Sequence, residues 1–277
     1  MKDFMNLKRR VIMRKMPLYI ACILSVLALG GCAYHKPAGN ALTDTGAVSE
    51  PARIDTAVES ETAEKFTLPS SPLIEAVNPK QENMADMLQR ASAGVMVRVV
   101  AQELSGSGVI YGICEDKLVI VTAGHILKQE KEAVGLLFFD DFAVESTEYV
   151  ISENADLAFV KVPLSEIPVE HLEKYYCVNT DKEGFDALQS GAGVIAMGSK
   201  TEAAGDAYEG KMVEPWIYVE DFAQYMMLAR VETYPGMSGG GLFDLQGHFL
   251  GILCGTDEEG EVAVVPLSIL EAEVIKL

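Results

Sequence analysis

The chain is poor in basic residues. Its 277 residues include 22 Lys and Arg against 41 Asp and Glu, which gives a formal net charge of −19. Proteins that bind nucleic acid neutralise phosphates with clustered Lys and Arg. The shortage of such residues argues against a nucleic-acid partner and is typical of a soluble acidic surface.

Cysteine is also scarce, with five in the whole chain. Cys114, Cys177 and Cys254 lack the paired Cys-x-x-Cys spacing of a zinc centre. We expect them to be buried thiols, with one disulfide as the alternative in an exported protein. The acidic stretch 257–261 is a weak calcium candidate, but hairpin tips often carry solvated acids. No metal and no cofactor is therefore predicted.

The few basic residues are concentrated at the start. Residues 1–31 hold six Lys or Arg and one acid. All of these charges precede an apolar run over 18–29. This pattern predicts an export signal, and the run is shorter than the roughly 20 residues of a membrane span. It ends in Leu-Gly-Gly-Cys32, which resembles a bacterial lipobox. We predict an exported lipoprotein anchored in the membrane by lipid at Cys32. An ordinary signal peptide or uncleaved anchor is the alternative.

The next segment has few aromatic residues and no apolar periodicity. Residues 32–81 are rich in Ala, Thr, Ser, Glu, Pro and Gly, a composition that favours a disordered tether. A short helix is predicted over 81–93, where Met84, Met87 and Leu88 share a face. The folded domain is predicted to span 82–277.

Apolar runs separated by turn residues fill the remainder. Six strands are predicted between residues 95 and 162, the fifth of them over 143–151, with a turn over 104–107. Further strands, including 210–213 and 216–219, are predicted between 193 and 265. A closing helix is predicted over 268–275. The pattern indicates an all-β domain.

Glycines surround one serine in the stretch 232–244. Pro235 and Gly236 precede Ser238, and three consecutive glycines follow it. Glycine permits positive φ and close approach of other chains, so the stretch predicts a tight turn that presents the hydroxyl. An alcohol becomes a nucleophile only beside a base that is itself oriented by an acid. His125 ends the apolar run 118–125, and Asp156 precedes another apolar run.

The order His125, Asp156, Ser238 within Thr-Ala-Gly-His, Asp-Leu-Ala and Gly-Met-Ser-Gly-Gly resembles the chymotrypsin-like serine endopeptidases. Within that superfamily it looks most like the short bacterial branch related to Deg/HtrA proteases and glutamyl endopeptidases. The resemblance covers roughly residues 92 to 272. It implies two antiparallel six-stranded β-barrels with a C-terminal helix.

The resemblance also implies roles. His125 would be the general base, Asp156 its orienting acid and Ser238 the nucleophile. The backbone N–H groups of Gly236 and Ser238 would form the oxyanion hole. Met237 departs from the residues that the family places there, so a catalytically silent head that binds peptides of exported proteins is the alternative to an active cell-envelope endopeptidase.

Position relative to Ser238 implies the substrate-binding residues. Glu232 and Thr233 would line the specificity pocket, while Leu253, Cys254 and Gly255 would lie along the substrate, a protein or peptide. An acid at Glu232 would favour a basic residue at the scissile position. The alternative is that Glu232 points to solvent. Arg230 either pairs with an acid or contacts substrate.

Overall fold

The structure, a computed structural model, describes residues 67–74, 83–130, 132–199, 205–257 and 259–276. The predicted signal peptide, the lipobox at Cys32 and most of the predicted tether lie outside these residues. No helix within the described ranges is long and apolar enough to cross a membrane.

Two antiparallel sheets dominate the fold. The first contains β1 (Met96–Val100), β2 (Ser105–Cys114), β3 (Lys117–Thr122), β4 (Val134–Phe138), β5 (Ala143–Ser146), β6 (Tyr149–Ile151) and β7 (Ala158–Pro163). The second contains β8 (Gly193–Gly198), β9 (Asp206–Val219), β10 (Gln224–Val231), β11 (Gly241–Asp244), β12 (Phe249–Thr256) and β13 (Glu261–Pro266). The helices are α1 (Met84–Ser92), α2 (Gly124–Leu127), α3 (Val169–Leu172), α4 (Lys182–Asp186) and α5 (Leu267–Val274).

The second sheet closes into a six-stranded barrel in the order β10-β13-β12-β11-β8-β9. Its longest strand, β9, replaces the two short strands predicted over 210–213 and 216–219. Pro215 lies inside β9 beside a register shift, where Ile217 pairs with Met226 but Glu214 pairs with Leu228. Proline has no N–H for a regular ladder and is tolerated at such irregularities.

The first sheet has seven strands in the order β5-β4-β1-β2-β3-β7-β6 and forms a half-barrel. The prediction of six strands is corrected because one predicted strand, 143–151, is interrupted. The Ser146 hydroxyl accepts a hydrogen bond from Glu148 N (3.0 Å) and donates one to Lys161 O (2.6 Å), which turns the chain out of the β5 ladder. The all-β, chymotrypsin-like class with two barrel-like sheets and a C-terminal helix is confirmed.

Buried Val, Ile, Leu and Phe side chains form the core. Strands can supply them to one side, because successive strand residues point to opposite faces of the sheet. β3 is buried almost throughout, as its sequence Leu-Val-Ile-Val-Thr indicates. A separate apolar cluster inside the closed barrel includes Val194, Met212, Met227, Leu242 and Met237. This second cluster matters for the site, because Met237 precedes Ser238.

The residues before the sheets pack against the protein. Helix α1 confirms the predicted helix, with Leu88 fully buried and Asn83 capping the Ala85 N–H at 3.0 Å. Residues 67–74, assigned to the tether by composition, are bound to the domain: Ser71 N donates to Cys177 O at 2.8 Å, and Ile74 N donates to Gln246 O at 2.8 Å.

Candidate active site

His125 and Asp156 lie next to each other on the first sheet. The ring Nδ1 of His125 is 2.8 Å from Asp156 Oδ2, and the backbone N–H of His125 donates to Asp156 Oδ1 at 2.7 Å. The Asp156 side chain is 9% exposed and that of His125 is 28% exposed. The carboxylate is thus buried behind an imidazole that reaches solvent.

Two strands bring this pair together. β3 ends at Thr122 and leads into α2, which contains His125, while Asp156 lies just before β7, the neighbour of β3. Gly124 fits between them closely, because a Cβ there would come within 2.9 Å of the Leu157 carbonyl oxygen. The small residue in Ala-Gly-His is therefore required by the approach of the Asp156 segment.

The environment of Asp156 acts on its pKa in two directions. Burial alone would raise the pKa, but the hydrogen bonds and charge of His125 outweigh burial and hold the pKa of Asp156 below its usual value. The group is therefore a carboxylate at neutral pH. A carboxylate at Nδ1 leaves Nε2 of the neutral ring as its acceptor.

Ser238 occupies the predicted tight turn. Gly236 has φ of 100° and Gly239 has φ of 85°, a region of backbone conformation that favours glycine. The Ser238 hydroxyl donates to Cys254 O at 3.1 Å. Among the described contacts, this is the hydrogen bond that the Ser238 hydroxyl makes. The hydroxyl proton therefore points to β12 and not to His125.

The amides of the turn divide into two groups. Met237 N donates to Tyr234 O (3.1 Å), Gly239 N to Leu253 O (2.8 Å) and Gly240 N to Met237 O (2.9 Å). Within the described residues, the N–H groups of Gly236 and Ser238 have no protein acceptor. These are the two amides that sequence reasoning assigned to an oxyanion hole, and an oxyanion requires donors not already engaged.

Met237 anchors the turn in the closed barrel. Its side chain is 1% exposed and packs in the apolar cluster with Leu242 and Met212. Gly198 permits this position, because a Cβ on Gly198 would lie 2.9 Å from Met237 Cα and Cβ. The departure of Met237 from the family pattern therefore corresponds to an apolar anchor for the turn that holds Ser238.

The predicted substrate-binding residues fall into two sets. Leu253 and Cys254 are buried on β12 and accept hydrogen bonds from the turn, while Gly255 follows at a register shift between β12 and β13. Glu232 and Thr233 line a separate cavity of about 410 Å³. The Thr233 hydroxyl is 2.7 Å from that of Thr256, and Glu232 accepts a hydrogen bond from Tyr234 OH.

The cavity carries charged side chains from β9, β10, the loop that follows β10 and the hairpin 257–261. Its lining includes Glu209, Arg230, Glu232 and Glu259. Arg230 Nη2 lies 2.6 Å from Oε1 of Glu261, its cross-strand partner, so pairing with an acid is the observed alternative for Arg230. The carboxylates make the cavity acidic overall.

Two further histidines in the described part of the chain are paired with carboxylates. His171 contacts Asp140 at 2.7 Å, and His248 contacts Asp244 at 2.8 Å. The three described cysteines are free thiols. Cys254 is buried, but Cys177 is half-buried and Cys114 is exposed, which corrects the expectation that all three are buried. Burial raises the pKa of the Cys254 thiol, and nearby Asp156 adds to this effect.

The acidic hairpin 257–261 brings together Asp257, Glu259 and Glu261. Asp257 Oδ1 accepts from Glu259 N (2.9 Å) and Glu261 N (2.8 Å), while Glu261 also holds Arg230. The Asp257 carboxylate therefore caps the turn, and the Glu261 carboxylate is the ion-pair partner of Arg230.

Sequence reasoning missed Ser107. It predicted a turn over 104–107, whereas β2 begins at Ser105, and Ser107 is fully buried in that strand. Ser107 N donates to Ser238 O at 2.7 Å, and its hydroxyl donates to Gly236 O at 2.7 Å. The signal available in the sequence was the serine between two glycines, Gly106 and Gly108, just before a strand.

Two barrel-like sheets, the first leading into a His–Asp pair and the second containing a serine turn between glycines, define the chymotrypsin-like class. A family model described as "trypsin-like peptidase domain" matches residues 106–252, just over half of the chain. The chain therefore belongs to the trypsin-like peptidase family and is a peptidase acting on protein or peptide substrates. No curated protein matches it.

Solved structures agree on the fold. The Rv3671c protease in an inactive form is 20% identical, with a TM-score of 0.56 over 73% of this chain and 98% of that one. An inactive-form serine-to-alanine mutant of Rv3671c from M. tuberculosis is 18% identical, with a TM-score of 0.55 over 74% of this chain and 96% of that one. At these identities the similarity concerns the fold alone.

Proposed function

We propose that the protein is a serine endopeptidase that uses Ser238, His125 and Asp156 to hydrolyse peptide bonds through an acyl-enzyme. The observation that carries this proposal is the double contact of Asp156 with His125, which leaves Nε2 to accept a proton. The location of Ser238 in a turn with two unengaged amides supports it.

In the proposed reaction, the Ser238 hydroxyl rotates from Cys254 O towards His125. Its oxygen forms a bond to the scissile carbonyl carbon while Nε2 of His125 takes the proton. The carbonyl oxygen becomes an oxyanion that accepts hydrogen bonds from Gly236 N and Ser238 N. The C–N bond then breaks, and His125 returns the proton to the leaving amine. Water repeats the sequence on the acyl-enzyme, releasing the acid and restoring Ser238.

The end of β12 supports a peptide substrate. β12 pairs with β11 up to Ile252, and Leu253 bonds to Gly239 N and Gly240 O of the turn. Residues 254–256 continue beyond these contacts, and Gly255 and Thr256 are still paired with β13 on the other side. An exposed strand edge binds an extended peptide through main-chain hydrogen bonds. Such a peptide would run past Ser238 towards the cavity lined by Glu232 and Thr233.

The test is labelling of the full chain with a fluorophosphonate, measured as a rate by intact mass. Wild type is expected to label at one site, and Ser238→Ala and His125→Ala are expected not to label. Folding of each variant is checked by circular dichroism. A folded wild type that does not label contradicts the proposal.

One observation favours a second function, a silent head that binds peptides. The Ser238 hydroxyl is bonded to Cys254 O and not directed at His125. A silent head would bind peptides along 254–256 without turnover. It predicts saturable binding of unstructured exported polypeptides with no labelling and no cleavage products.

For the location, we propose that the protein is an exported lipoprotein whose lipid is attached to Cys32. The basic segment, the short apolar run and the lipobox-like end support it. Metabolic labelling with a clickable fatty acid is expected to mark wild type but not Cys32→Ser, while Cys114→Ser remains marked. Label on Cys32→Ser would contradict the assignment.

A further inference from the structure

Ser107 connects the first sheet to the turn that holds Ser238, residues 235–240, through its N–H and its hydroxyl, while its carbonyl bonds within the first sheet. Its N–H donates to Ser238 O (2.7 Å), its hydroxyl donates to Gly236 O (2.7 Å), and its carbonyl accepts from Thr122 Oγ1 (2.6 Å). The hydroxyl oxygen also accepts from Ser199 N at 2.6 Å. A residue with no solvent exposure thus touches both sides of Met237.

The point where the β2–β3 ladder ends explains why the N–H and C=O of Ser107 can bond outside it. β2 pairs with β3 from Gly108 onward, so Ser107 lies one residue beyond that ladder. Its N–H and C=O on this side need other partners, because buried backbone groups are rarely left unpaired. Ser238 O and the Thr122 hydroxyl supply them.

The Ser107 hydroxyl bonds to the peptide unit that joins Gly236 to Met237. Because a trans peptide points its C=O and N–H in opposite directions, holding Gly236 O towards Ser107 directs Met237 N–H towards Tyr234 O, its observed acceptor. The Ser199 N–H occupies an acceptor site of the Ser107 oxygen, which leaves Gly236 O as the direction for the proton.

Gly236 would otherwise have considerable conformational freedom. Its φ of 100° lies in a region that glycine enters readily and leaves readily. A rotation of the 236–237 peptide would break the Ser107 contact and change the path of the chain between the two proposed oxyanion donors. The Ser107 hydroxyl is therefore placed where it can select one conformation of the turn.

We infer that Ser107 is a positioning residue for the oxyanion hole, acting through Gly236 O and Ser238 O. It does not touch the substrate. This inference rests on the proposed function, since it assigns a role within the same site. In physical terms, a hydroxyl on a strand of the first sheet fixes a peptide unit in the turn between β10 and β11 of the second sheet.

The variant Ser107→Ala removes the hydroxyl and keeps the backbone bond to Ser238 O. Ser146→Ala is a matched control, because the Ser146 hydroxyl also donates to a carbonyl (Lys161 O, 2.6 Å) and accepts from an amide (Glu148 N, 3.0 Å), but away from the turn. In the full chain, we expect Ser107→Ala to lower the fluorophosphonate labelling rate about 10- to 100-fold. Ser146→Ala is expected to label like wild type.

A second pair of variants separates hydrogen bonding from packing. Ser107→Thr and Ser107→Val have the same shape but differ in the hydroxyl. We expect Thr to restore labelling relative to Ala, and Val not to. Equal labelling of Ser107→Ala and wild type, or of the Val and Thr variants, would overturn the inference.

Amide hydrogen exchange of the full chain gives a readout that does not need activity. Fragments covering 232–242 are expected to exchange faster in Ser107→Ala than in wild type, and unchanged in Ser146→Ala. If wild type fails to label, the proposed function fails while faster exchange still supports the role of Ser107. If wild type labels but exchange and labelling are unchanged in Ser107→Ala, the inference fails alone.

Discussion

Asp156 holds His125 at two points, with one carboxylate oxygen on the backbone N–H (2.7 Å) and the other on ring Nδ1 (2.8 Å). The first contact fixes where the residue stands, and the second fixes the tautomer of the ring. A single carboxylate thus ties the position of the imidazole to its protonation pattern.

The variant Asp156→Asn separates these two effects. Its amide oxygen can still accept from His125 N, which turns the NH₂ group towards Nδ1. Nδ1 must then act as acceptor, the proton moves to Nε2, and the ring can no longer take the Ser238 proton. We expect a folded protein whose fluorophosphonate labelling rate falls about 10⁴-fold. Retention of labelling within tenfold would show that Asp156 does not set the tautomer.

Met237 provides a test of the apolar anchor. Met237→Leu conserves volume, so we expect the free energy of unfolding to fall by less than about 1.5 kcal/mol and labelling to persist. Met237→Asp buries a carboxylate without a partner and should cost about 3–5 kcal/mol or prevent folding. Urea denaturation measures both. Equal stability of the two variants would mean that the side chain does not depend on the apolar cluster.

Gly239 and Gly112 form a matched pair of glycines. A Cβ on Gly239 would lie 2.1 Å from Ser107 O and 2.3 Å from Thr122 Oγ1, and its φ is 85°. A Cβ on Gly112 meets nothing within 4 Å. We expect Gly239→Ala to displace the turn and lower labelling at least about 100-fold, as for loss of an oxyanion donor. Gly112→Ala should change neither labelling nor the melting temperature appreciably, and similar behaviour of the two variants would contradict the close approach.

The sequence was sufficient for the parts of the site that local pattern determines. Thr-Ala-Gly-His and Gly-Met-Ser-Gly-Gly each encode a tight approach within a few residues, so His125 and Ser238 could be predicted as site residues. Ser107 was missed because its bond to Gly236 O spans 129 positions and depends on where β3 stops relative to β2. Strand ends and register depend on contacts between residues far apart in the sequence, as the bond of Ser146 to Lys161 O at the end of β5 also shows.

The acidic cavity that Glu232 and Thr233 line leads to a prediction about substrate preference. Glu209, Glu232 and Glu259 line it, while the charge of Arg230 is offset by Glu261. We expect chromogenic peptides with Lys or Arg at the scissile position to be cleaved faster than peptides with Glu, because an acidic pocket disfavours a second acid. Glu232→Gln should reduce this preference several-fold. Glu170→Gln removes the same charge on exposed α3 and should leave it unchanged; an equal effect of both variants would assign the preference to net charge.

Asp140 predicts how stability depends on pH. Its carboxylate accepts from His171 Nδ1 (2.7 Å), Lys174 Nζ (3.0 Å) and Tyr175 OH (3.1 Å). Burial would raise the pKa of Asp140, but these hydrogen bonds outweigh burial and lower it. A lowered folded pKa means that the stabilisation is complete above the unfolded pKa of about 3.9 and is lost as pH falls through the folded value.

Asp140→Asn should therefore destabilise the protein by about 1–3 kcal/mol at pH 7, and the difference from wild type should shrink as the pH approaches 3. Urea denaturation across this range measures both proteins. Asp186→Asn is the control, because Asp186 is exposed and its described ion pair lies along its own helix, with Lys182 at 3.2 Å. Its effect should be small at every pH. A difference for Asp140→Asn that grows on acidification would reverse the sign of the linkage and show that the folded protein does not favour the Asp140 carboxylate.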